Sequence, residues 1–141
     1  MRKLTYFVVL LGALALLALL RETLQLQQEI QQATHAAVVS AMRAELMESW
    51  VRLQVASSSL EPGNPVRWLR HAPQAYLGEF RQPPPQVQAA WFYDLSQGCL
   101  VYVFAGGEKA AYRLKTTAGL SGAARGVIGG VDLVKDASCN E

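Results

Sequence analysis

From Leu4 to Leu20 the chain reads LTYFVVLLGALALLALL, 17 residues without a charge. As a helix rising about 1.5 Å per residue it spans about 25 Å, near the short end for a bilayer. Arg2 and Lys3 precede the run, and Arg21 with Glu22 close it. The basic flank is expected to stay in the cytoplasm and send the rest across the membrane. The rival reading is a cleaved signal peptide. Cleavage requires small residues at the third and first positions before the cut, and Leu19 and Leu20 are too large. An uncleaved transmembrane anchor over residues 1–20 is therefore predicted. Gly12 has no small partner four residues away, so a small-xxx-small dimer face has little support there.

Residues 21–60 are predicted to form an amphipathic helix, since no Pro or Gly occurs between Arg21 and Ser59. Leu26, Ile30, Ala33, Ala37, Ala41, Ala44, Val51 and Val55 keep mostly helical spacing, interrupted by Glu48. A second edge carries Val38, Met42, Leu46 and Leu53. This stripe does not hold a heptad for three repeats, which argues against a long coiled coil. Ser57-Ser58-Ser59 followed by Glu61-Pro62-Gly63 is expected to end the helix. Asn64-Pro65 reads as an N-cap with Pro at the first helical position, opening a short helix through Val66, Trp68 and Leu69 that Pro73 stops. Residues 72–90 read as loop, with Pro83-Pro84-Pro85 a stiff spacer or, less commonly, a partner ligand.

The period then changes to two. Trp91–Leu95 and Cys99–Phe104 are strand candidates joined by the short connection Ser96-Gln97-Gly98. Gly106-Gly107 turns the chain toward a strand through Ala110, Tyr112 and Leu114, residues 116–126 read as loop, and Val127–Val134 offers a last strand. The predicted fold class is α+β: a long N-terminal helix, transmembrane then amphipathic, packed against a small antiparallel sheet of three to five strands. Residues 61–141 supply the loop and β part. Its sheet is expected to rest on the alanine-rich stripe of the helix, around Val38 to Val55.

Composition adds that 51% hydrophobic with 17% charged residues is no disordered chain. The net charge of +2 resides in Arg2 and Lys3, so the remainder is neutral and nucleic acid is not an expected partner. Cys99 and Cys139 are expected to pair if the body reaches an oxidising compartment, two unpaired thiols being the alternative. Two Cys without nearby His fall short of a zinc pattern. His35 and His71 are expected at the surface or rim, and the carboxylates form no recognisable acid–base pair. Ser57–Ser59 lack a nucleophile-elbow context, and the glycine pairs lack a phosphate-loop context. No catalytic residue, cofactor or metal is expected. Trp68, Tyr76, Phe80, Trp91 and Tyr102 are candidates for core packing or for a partner surface.

Four stretches, Asn64-Pro65-Val66-Arg67-Trp68-Leu69, Tyr76-Leu77-Gly78-Glu79, Trp91-Phe92-Tyr93-Asp94 and Gly98-Cys99-Leu100-Val101-Tyr102, occur in an order that resembles minor membrane proteins of the type IV pilin-like superfamily. That superfamily includes the pseudopilins of type II secretion, and the group in question accompanies pili of the mannose-sensitive haemagglutinin kind. The resemblance implies a single pass through the inner membrane of a Gram-negative bacterium, a cytoplasmic N-terminus and a periplasmic body. It implies contact with pilin-like subunits or inner-membrane platform proteins, besides the lipid bilayer. Pilins carry a cleavable Gly before the apolar run and a Glu five residues after the cut. Here Gly12 lies inside the run and Leu17 stands five beyond it, so the expectation is an anchored accessory protein rather than a polymerising subunit. The alternative function is a general envelope scaffold, such as a cell-division or cell-wall complex subunit.

Overall fold

The computed structural model describes residues 1–55, 63–117 and 130–140. Helix α1 runs from Arg2 to Val55. A 3-10 helix, Pro65–Trp68, precedes five strands: β1 Tyr76–Phe80, β2 Ala90–Asp94, β3 Cys99–Val103, β4 Lys109–Thr117 and β5 Gly130–Lys135. A second 3-10 helix, Ala137–Asn140, ends the described chain. The expected helix stop at Ser57–Ser59 and Glu61-Pro62, most of the loop expected over 116–126, and the first residues of the last strand, Val127–Gly129, lie outside the described residues. The chain divides into two compact units, Met1–Ala37 and Val38–Glu141.

In the first unit, all described residues except His35 are exposed, and the segment after Arg2 is long and apolar enough to cross a membrane. His35 is buried, contrary to the rim position expected of it. It stands four residues before Val39, in the helical spacing of the series that is buried further along α1.

In the second unit the strands lie in the order β1-β2-β3-β4-β5. The last four form an antiparallel meander, as their period-two patterning predicts. Strand β1 pairs parallel with β2, so the sheet is mixed where a purely antiparallel one was expected. Residues 81–89 make the connection from β1 to β2. That is short for a parallel return, and Gln86 and Ala89 adopt left-handed backbone at φ 58° and 49°. Residues 72–90, expected as loop throughout, thus hold a strand.

One sheet face, formed by Trp91, Tyr93, Leu100, Ala110, Tyr112, Leu114, Val131 and Leu133, clusters with Val39, Met42, Leu46 and Trp50 of α1 and with Val66. The helix therefore packs against the sheet within the expected segment but through another face. Ala41 and Ala44 are exposed, as are Met47 and Val51. Val39, Met42, Leu46 and Trp50 offer more apolar area than alanines, and the larger side chains win the core position. The opposite sheet face has its own small core: Phe92, Cys99, Val101, Val103, Ala111 and Cys139, with Phe80 and Val87 against it.

The β5 edge of the sheet is partly shielded. Arg43 of α1 donates from Nε and Nη2 to the Leu133 carbonyl of β5 at 3.1 and 2.9 Å, and Asp132 Oδ1 accepts from the Leu133 N–H at 2.8 Å. That occupies backbone groups which would otherwise template another strand. On β1, Leu77 remains 49% exposed.

Candidate functional site

Asn64 organises the end of the body nearest the close of α1. Its side chain accepts from the Val66 N–H at 3.0 Å, the N-cap bond predicted from Asn64-Pro65. The same amide donates to Tyr76 Oη at 2.8 Å and to Glu79 Oε1 at 3.0 Å, joining the 3-10 helix to β1. Arg67 completes the joint with two bonds to the Glu79 carboxylate at 2.8 and 2.9 Å. This fork geometry is the strong form of the pair. Arg67 and Asn64 together hold the Glu79 carboxyl below its usual range, while burial pushes the Tyr76 hydroxyl up.

Beside this joint lies a groove of about 490 Å³ lined by Ser49, Arg52, Leu53, Arg67, Trp68 and Leu69, with Arg70 at its rim. The buried Ser49 hydroxyl donates to the Trp68 carbonyl at 2.8 Å, which sets the floor. Arg70 is held by Glu48 through its side chain and by Glu45 through its backbone N–H. Arg52 donates to Ser49 Oγ at 3.3 Å and has no ion pair among the described residues. A half-buried indole beside a guanidinium that has no ion pair among the described residues brings together two of the residue types enriched in protein contacts.

The five aromatic candidates separate. Trp91 is core at 2% exposure, 4.8 Å from Tyr102 and 6.2 Å from Tyr112 between ring centres. Tyr102 and Tyr76 are half-buried at the margin of the same core, and Phe80 packs edge-on against Phe92 at 6.4 Å on the other face. Trp68 alone among them lines the groove. His71 is exposed. Arg52 was not singled out in the sequence, because Trp68 and Leu69, which line the groove with it, lie outside α1.

Cys99 and Cys139 are joined as a disulfide on the sheet face away from α1. Asp136 lies with them in a compact group. The group does not suit a metal: both sulfurs are spent on their bond, and Arg113 Nη2 stands 3.5 Å from each of them. The Arg113 guanidinium also approaches Asp136 at 3.0 Å and the Gln97 carbonyl at 3.3 Å. A carboxylate the sequence did not single out, Asp94, caps the β2–β3 connection by accepting from Ser96 N, Ser96 Oγ and Gln97 N. The connection closes on Gly98 with φ 69°, a left-handed position that favours glycine.

The lowered Glu79 carboxyl has a pH signature. Because the folded value lies below the unfolded one, the stability it contributes is complete above the unfolded value of about 4.3 and is lost as pH falls through the folded value. Thermal unfolding of the wild-type chain and of Glu79→Gln in detergent, followed from neutral to acid pH, is expected to show a gap at neutral pH that closes in acid. A gap that is constant across the range would assign Glu79 no linkage.

No family model, no curated protein and no solved structure matches the chain.

Proposed function

We propose that the chain is a non-enzymatic, single-pass inner-membrane accessory protein in the assembly of a type IV pilus of the mannose-sensitive haemagglutinin type, or of a related type II secretion fibre. The observation that carries this reading is the architecture. One helix, Arg2–Val55, begins with a stretch apolar enough for a bilayer and continues into a body whose five-stranded sheet packs on one of its faces. That layout is compatible with a pilin-like fold, the four ordered motifs beginning at Asn64, Tyr76, Trp91 and Gly98 resemble minor pilin-like proteins, and Gly12 inside the apolar run with Leu17 five beyond it favours an accessory role. The partners on this reading are pilin-like subunits or inner-membrane platform proteins. The groove with Arg52 and Trp68 is the contact surface best suited to them.

Capture of the tagged full-length chain from mildly solubilised inner membranes tests the reading. Pilin-like subunits or platform proteins are expected in the eluate of the wild type. Arg52→Glu is expected to reduce their recovery about tenfold, the loss of roughly one interface hot spot. Recovery of division or cell-wall proteins instead would replace the fibre role with an envelope scaffold, the pilin-like layout then being shared fold alone.

A further inference from the structure

With the sheet-facing residues of α1 identified, the rest of the helix reads differently. Leu26, Ala33, Ser40 and Met47 recur every seven residues, as do Ile30, Ala37, Ala44 and Val51. The two series interleave at spacings of three and four, the a and d positions of a heptad repeat. The earlier stripe hid this pattern because it included Ala41 and left out Ser40 and Met47. All eight residues are exposed; Leu26, Ile30, Met47 and Val51 are 59%, 58%, 44% and 50% accessible. In the second unit, Ser40, Ala44, Met47 and Val51 lie about 125° round the helix from the buried Val39, Met42, Leu46 and Trp50, at 100° per residue. The body's own sheet therefore leaves this face clear.

We infer that a second copy of the chain covers this face, as a parallel, in-register pair of α1 helices. Three features select that occupant. The seam sits at small residues, Ala33, Ala37, Ser40 and Ala44, which allow two backbones to approach closely. Anchoring in one membrane makes two copies parallel. In that alignment the flanking position of Arg43 in one copy faces that of Glu48 in the other, twice by symmetry. The remaining flanks pair Glu29 with Thr34 and Ala36 with Ala41, so no like charges meet. Arg43 already donates to the Leu133 carbonyl and lies 3.4 Å from the Asp132 carboxylate, and Glu48 already accepts from Arg70. A guanidinium with five donors and a carboxylate with four acceptor sites have room for one contact more.

The dimer rests on the membrane anchor and not on the fibre role, and its test is separate from the capture experiment. Single cysteines are introduced at Ile30, Ala33 and Ala37 on the seam and at Gln28 and Gln32 off it, in the full-length chain in native membranes. Brief oxidation with copper phenanthroline is expected to give a covalent species of twice the chain mass. Its yield at the three seam positions should exceed that at the two others by at least about fivefold, since only facing thiols meet the distance requirement. A photoactivatable benzophenone side chain placed at Ser40, which adds no thiol to mispair with Cys99 or Cys139, is expected to give the same doubled mass. Equal yields on and off the seam, no doubled species from either chemistry, or seam adducts to a different protein would each overturn the pairing.

Discussion

Replacing Cys99 and Cys139 together by alanine is expected to destabilise the body by about 4 kcal/mol, the chain-entropy value for a closed loop of this size. The two residues lie 40 positions apart, so the cross-link removes a large share of the unfolded chain's freedom. Both are buried, at 0% and 6% exposure, and they fasten the C-terminal Ala137–Asn140 helix to the central strand β3. Without the bond, the terminal segment keeps the Asp136 N–H bond to the Ala111 carbonyl and the contact of Asp136 with Arg113. A single half-buried ion pair of that kind does not replace the cross-link. For a body of roughly 100 residues, the expected fall in the unfolding midpoint is about 15–30 °C. Thermal unfolding of the full-length chain in detergent measures it. The wild type under a reductant strong enough to open the bond should unfold near the double variant. A fall of less than about 5 °C would show that the bond does little for a body already held by two cores.

Strands β2 to β5 were legible because each keeps a period of two, β2 to β4 between two buried faces and β5 between a buried face, Val131 and Leu133, and an exposed one. Trp91 and Tyr93 point to one core while Phe92 points to the other, and Leu100 and Val101 divide the same way. Strand β1 was not legible. Its five residues contain Gly78 at φ 121°, and prolines stand on both sides at Pro73 and Pro83. Local signals there favour loop, and the strand exists because β2 offers a backbone to pair with. Of the groove, the cap at Asn64 and the turn through Trp68 could be read from Asn-Pro, since a cap is a local device. The meeting of Ser49 and Arg52 with Trp68 could not, because it depends on where the chain returns after residues 56–62.

The identity of the buried helix face separates the sequence expectation from the fold most sharply, and one substitution tests it. Leu46→Ala is expected to cost about 2–5 kcal/mol, the range for emptying a closed core site. Leu46 is 1% exposed and shares its cluster with Trp91, Leu100 and Leu133, side chains anchored in three different strands. Such a wall cannot collapse around the void without moving the sheet, which places the cost toward the upper part of that range. Ala44→Ser, two residues away on the exposed face, is expected to change the body's stability by no more than about 0.5 kcal/mol. Had the alanine stripe carried the sheet, the ranking would invert: a hydroxyl at position 44 would enter a close helix–sheet contact, and truncating Leu46 would remove only exposed surface. Denaturant unfolding of the two variants in the same detergent decides between these packings. Equal midpoints, or a larger loss in Ala44→Ser, would reject the face assigned to the core.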